Sequence, residues 1–192
     1  MIEAIVPPEA YIPMRNGTES FSADSPPTYD PNFVTSPANP VTGRQNNQGF
    51  EGLTISPDGK YLYALLQSAL EQDGGTKSTT RQNTRFLQWD IQAQKWIGEW
   101  VVVLPFYNDN GAQHVAAQSE VHYLAENRFL ILSRDSSRGY GQTNSTSVYR
   151  HVDIPVCFVV DSRLISLIFR MLPTSLAQNM ITEQTQLHPA ES

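Results

Sequence analysis

Apolar residues between Leu53 and Leu104 recur in short runs, Leu53–Ile55, Tyr61–Leu66, Thr84–Ile91 and Trp96–Leu104, separated by turn-forming residues. Runs this short, rich in Leu, Tyr, Trp and Val, predict β-strands. Ser56-Pro57-Asp58-Gly59 lies between the first two, and an Asp-Gly pair there predicts a hairpin because glycine tolerates the positive φ such a turn needs. The four runs therefore predict a four-stranded meander. The same order begins again with Glu120–Leu124, Arg128–Leu132 and, after a polar loop, Ser147–Ile154. The step from Glu51 to Glu120 is longer than a blade of about forty residues because the loops are long, but four-stranded units in tandem suit a β-propeller, with a sandwich as the alternative.

Residues 15–48 mix Asn, Ser, Pro, Thr and Gly with scattered aromatics, a composition that buries little apolar surface and predicts one long loop. Thirteen prolines, eleven glycines and 17% charged residues also favour strands and turns over long helices. The fold class expected is all-β. At 192 residues and 40% hydrophobic content, the chain can support one ordinary domain with a sizeable core.

The net charge of −6, without a basic run, argues against a nucleic-acid partner and suits a surface kept monomeric by mild self-repulsion. No apolar run reaches the ~18 residues of a membrane helix, since Asp161-Ser162-Arg163 interrupts the best candidate. The first residues carry no basic, apolar leader and read as lacking a signal peptide. The single cysteine, Cys157, excludes an internal disulfide and, in its apolar setting, reads as a buried thiol. Asn16-Gly17-Thr18 and Asn144-Ser145-Thr146 are acceptor triplets for glycosylation in the secretory pathway.

Candidate chemistry gathers at one rim. Strand direction alternates in a meander, so the start of the first strand and the loop joining the second to the third share an end. In the first unit that end carries Arg44 and Glu51, then Gln67, Asp73 and Arg85; in the second it carries Gln118 and Glu120, then Arg134 and Asp135. Glu51, in Gly-Phe-Glu-Gly, is open to close backbone approach from both sides. Grouped carboxylates suit Ca²⁺, and arginines beside them suit an anion; the alternative is a set of salt bridges that fix the long loops. The four histidines, His114, His122, His151 and His188, lack metal-ligand spacing, and no Gly-x-Ser-x-Gly elbow is present.

Ile5-Val6-Pro7-Pro8-Glu9-Ala10-Tyr11-Ile12-Pro13, Gly43 to Leu53, Leu66-Gln67-Ser68, Gln72-Asp73-Gly74-Gly75, Asn83-Thr84-Arg85, Ala117-Gln118-Ser119-Glu120 and Ser133-Arg134-Asp135 together resemble, in order, the phytase-like propeller family, described by its esterase-like activity of phytase, in its fungal secreted form. The resemblance covers about residues 5 to 154 and implies a partial propeller of two blades, the second incomplete. It implies a secreted, metal-assisted hydrolase of phosphate or carboxylic esters when full length, monomeric and acting on a small molecule. Glu51 and Glu120 are its catalytic candidates. Arg44, Gln67, Arg85 and Arg134 are candidates for substrate binding, and Glu51, Asp73, Glu120 and Asp135 for binding Ca²⁺. The rival reading is a non-catalytic propeller that uses the same rim to bind a carbohydrate or a protein. Family members begin further upstream, with a signal peptide and an acidic segment, so the chain reads as truncated at its start and inactive alone. Residues 155–192 read as a divergent segment: Val156 to Val160 suit a strand, Leu164, Leu167 and Ile168 a helical stripe, and Thr174 to Gln178 resemble the family again.

Overall fold

The computed structural model describes residues 4–21, 36–125, 128–135, 138 and 143–154, and the backbone of 157–159. The described residues belong to one compact unit, residues 1–159; residues 160–192 lie outside the described residues, and with them the expected helical stripe and the segment from Thr174. The strands are β1 (Met14–Arg15), β2 (Thr18–Glu19), β3 (Phe50–Ile55), β4 (Tyr61–Leu66), β5 (Asn83–Asp90), β6 (Lys95–Val103), β7 (Phe106–Asp109), β8 (Ala112–Val115), β9 (Ala117–Ala125), β10 (Arg128–Arg134), β11 (Arg150–Asp153) and β12 (Cys157–Val159). Short 3-10 turns at Glu9–Tyr11 and Glu71–Asp73 are the helical elements among the described residues. The class is all-β, as the sequence predicts.

The meander of the first unit forms as read. β3, β4, β5 and β6 pair in sequence order, all antiparallel. Its first turn is held by the Gly59 N–H on the Ser56 carbonyl at 2.9 Å, with Gly59 at φ 71°, and by the Ser56 hydroxyl on Asp58 Oδ1 at 2.6 Å. That turn sets Ile55 opposite Leu62 and so decides which face each later residue occupies.

Both faces of this sheet are covered. Tyr63, Leu65, Phe86 and Val102 meet Val121, Phe129 and Ile131 of the second sheet. The ring of Phe129 stands edge-on to Tyr63 and Phe86 at 4.8 and 4.7 Å, pairings worth ~0.5–1.5 kcal/mol each beyond their burial. On the other face Leu66, Leu70 and Leu87 pack with Tyr11, brought there by the N-terminal segment.

The second sheet has the order β11-β10-β9, three strands where the first meander has four. Its inner face supplies Val121, Phe129 and Ile131; Leu124, Leu132 and Val152 are exposed. β12 does not extend it. Cys157–Val159 pairs antiparallel with Trp100–Val102 at the outer edge of the first sheet, so the β-branched run continues as a strand on a different partner from β11. The expected burial of the Cys157 thiol lies outside the described side chains.

The reading of 15–48 as one loop needs correction. β1 and β2 form a hairpin through Asn16 (φ 51°) and Gly17 (φ 76°), and Met14 also bridges to Thr42. A second unforeseen hairpin, β7–β8, turns at Asn110 (φ 51°) and Gly111 (φ 82°). Two consecutive residues with positive φ are the requirement of the turn that best fits strand twist, and Asn-Gly meets it.

Candidate functional site

Hydrogen bonds tie the two sheets together along one rim. The Gln67 N–H donates to the Gly49 carbonyl at 2.8 Å, which joins the end of β4 to the approach to β3. Gln118, at the start of β9, donates from its backbone to the Gln67 carbonyl at 3.2 Å and from Nε2 to the Leu65 carbonyl at 2.8 Å. The Ser68 hydroxyl donates to Gln48 Oε1, and the Ala69 N–H to the Arg81 carbonyl at 3.1 Å. Gln118 stands opposite Ser133, and Ala117 opposite Arg134, so the end of β10 joins the same rim. Buried Gln118 Oε1 and Ser133 Oγ find no hydrogen-bond partner among the described residues, leaving a polar spot in the rim's floor.

Arg85 and Asp73 come together as a buried ion pair. Arg85 donates from Nε to Asp73 Oδ2 at 2.6 Å and from Nη2 to Oδ1 at 2.9 Å, and its Nη1 reaches Glu99 Oε1 at 2.5 Å. The Tyr11 hydroxyl donates to the same Glu99 oxygen at 2.7 Å. Burial alone would lower the Arg85 guanidinium; Asp73 and then Glu99 outweigh it and raise it. Burial first, and Glu99 next, raise Tyr11 far above the ordinary phenol range. Arg85 is thus neutralised by two carboxylates.

Asp135 is likewise engaged. Its Oδ2 accepts from the Ser147 hydroxyl at 2.8 Å and from the Val148 and Tyr149 N–H groups at 2.6 and 2.9 Å, which folds the β10–β11 loop around one carboxylate. Glu51 and Glu120 are exposed, and Glu120 Oε1 accepts from the neighbouring Val121 N–H at 3.0 Å. Gln67 is buried. Among the described residues no three His, Cys, Asp or Glu side chains come close enough to hold a metal ion together. Glu51, Asp73, Glu120 and Asp135 thus do not form a group of three or more among the described residues.

Arg44, Arg81 and Arg134 bring positive charge to this part of the chain. Arg44 is half-buried, its Nη1 donates to the Gln45 carbonyl at 3.3 Å and its guanidinium lies 5.3 Å from the Phe21 ring centre. Burial, and then the nearby Arg15, lower its pKa. Burial is also the main cause lowering Arg81, with Arg134 adding to it. Arg134 is half-buried and donates to the Asp135 carbonyl at 3.2 Å.

Sequence reasoning missed Tyr11 and Glu99. The signal was Arg85 itself: a guanidinium between Thr84 and Phe86 in a buried strand needs a carboxylate, and Glu99 stands two residues from its cross-strand partner Val101.

The family model described as esterase-like activity of phytase matches residues 5–155. This chain belongs to the phytase-like family. An uncharacterized secreted protein of Arthroderma benhamiae is 54% identical over 162 residues, which is 80% of this chain and 32% of that relative. The chain thus spans about a third of the length of the relative it matches. No solved structure matches it. The family is of the propeller type, and the two packed meanders are its blades; the described residues contain no closed ring.

Proposed function

We propose that this phytase-like segment supplies two blades and part of the substrate rim of an extracellular ester hydrolase. The observation that carries the reading is the rim itself, where Gln118 stands opposite Ser133 and Ala117 opposite Arg134, and where the buried Gln118 Oε1 and Ser133 Oγ find no hydrogen-bond partner among the described residues. Arg44 and Arg134 hold the anionic part of a phosphate or carboxylic ester, and Gln67 helps fix the floor beneath it. Arg85 acts one step away, through Asp73, by holding the loop that follows β4 in place. Glu51 and Glu120 are the groups from this segment able to take a proton from water or return one to the leaving oxygen. Ca²⁺ enters the proposal with ligands drawn in part from outside the described residues; when bound it would neutralise charge on the ester. Extracellular placement is supported by the secreted relative and by the exposure of Asn16 and Asn144.

A second reading, binding of a carbohydrate or protein partner at this rim without turnover, is favoured by the lack of convergence among the described carboxylates. The test is a chimera, the full-length relative carrying residues 5–155 of this chain in place of its own. It is assayed on phytate and on aryl esters with and without Ca²⁺, beside its Glu51→Gln form. Turnover lost in the variant supports hydrolysis; absence of turnover under every condition supports binding alone.

A further inference from the structure

A cavity of about 480 Å³ opens between the sheets at the end of the strands remote from the rim, lined by Tyr61, Tyr63, Phe86, Gln88, Trp100 and Phe129 among others. Tyr61 starts β4, whereas Leu66 at its other end leads into the rim. The volume is in the range of small-molecule sites, about 300–1,000 Å³, and far above a packing gap.

Its walls are built. Tyr63 stacks on Phe86 with centroids 5.6 Å apart, and Phe129 closes the edge of both. Trp100 lies over Gly98, where an added Cβ would come within 2.3 Å of the indole, so the absent side chain fixes the ring's seat. Gln88 donates from Nε2 to the Tyr63 hydroxyl at 3.3 Å, a long bond that leaves amide and hydroxyl available to a ligand. Among the described residues that line it, none is a carboxylate, guanidinium or ammonium. Flat aromatic walls, with hydroxyls and one amide at their edges and no charge, complement a neutral ring that has an apolar C–H face and hydroxyl edges.

We propose that this cavity binds a neutral pyranose ring of a carbohydrate, stacked on Trp100 and hydrogen-bonded by Gln88 and Tyr61. The site is separate from the rim and does not depend on the ester-hydrolase reading.

The test titrates the 192-residue chain with methyl glucoside, methyl mannoside and methyl N-acetylglucosaminide, following Trp fluorescence and saturation transfer from protein to sugar. Phenol and inositol hexakisphosphate serve as aromatic and anionic controls. Saturable binding of at least one pyranoside is expected, weakened about tenfold by Gln88→Leu, in keeping with one lost hydrogen bond. Trp100→Phe should remove the fluorescence response while saturation transfer persists, because Trp89 and Trp96 pair with each other rather than line the cavity. Near-UV circular dichroism verifies that both variants fold. Binding of phenol without any pyranoside, pyranoside binding unchanged by Gln88→Leu in the folded protein, or no saturable binding of any pyranoside would overturn the proposal.

Discussion

Arg85 grips Asp73 with two parallel hydrogen bonds, and this pair, both side chains about nine-tenths buried, anchors the loop after β4 to the middle of the first sheet. The loop carries Gln67 and Ser68 into the rim, so the pair is a positioning device for the site rather than a grip on substrate. Glu99 and Tyr11 extend it to β6 and to the N-terminal segment, which Trp96 also holds through its indole N–H on the Val6 carbonyl at 2.9 Å.

Arg85→Ala should therefore be severe. It leaves Asp73 and Glu99 buried without a counter-charge, a defect that typically costs ~3–5 kcal/mol. Loss of the near-UV dichroism of the native chain is expected, with partial recovery in Arg85→Met combined with Asp73→Leu and Glu99→Gln. A native spectrum for Arg85→Ala would mean that the network carries little.

Tyr11 makes the first sheet sensitive to alkali. Its folded pKa is raised above the ordinary 10.0, so the native chain keeps a proton that the unfolded chain gives up, and stability falls as pH rises past 10. Tyr11→Phe should lose the Glu99 hydrogen bond at neutral pH yet show a shallower decline in alkali. Equal slopes in urea unfolding across that range would contradict this.

Asp58 acts at the opposite limit. The Ser56 hydroxyl, and then Lys60, hold its pKa at about 2, below the ordinary 3.8. The turn's contribution is complete above 3.8 and is lost as pH falls through about 2. Asp58→Asn should flatten that part of the acid unfolding profile, without changing it near neutrality by more than a surface turn allows.

Gly52 sets how closely the two sheets approach. An added Cβ would meet Val121 Cγ1 at 2.8 Å and its backbone N at 2.9 Å. Gly52→Ala should cost ~1–3 kcal/mol. Faster exchange of the Tyr123 amide, which donates to Thr54 Oγ1 at 3.1 Å across the same junction, would report the separation. Val121→Ala should recover only part of the loss, since the backbone clash stays.

The meander from β3 to β6 was legible because its alternation and the Asp-Gly turn are local signals; the β7–β8 hairpin was missed although Asn110-Gly111 is a signal of the same kind. The sequence placed the candidate residues at one end of the strands. Their pairing was not legible. That Asp73 is consumed by Arg85, and Asp135 by the Ser147 hydroxyl and the Val148 and Tyr149 N–H groups, follows from loop paths that periodicity does not encode. Glu99 reads in sequence as one more polar position on an amphipathic strand, and its contacts with Arg85 and Tyr11 give it a role.

With Arg85 neutralised, the account rests on Arg44 and Arg134 as the rim groups that hold an anion. The direct measurement is phosphate binding, by titration calorimetry at two salt concentrations, to the full-length relative carrying residues 5–155 of this chain. Arg44→Ala and Arg134→Ala should each weaken binding about tenfold or more, in keeping with a lost charge-assisted hydrogen bond, and reduce its salt dependence. Unchanged phosphate affinity in both folded variants would contradict the account.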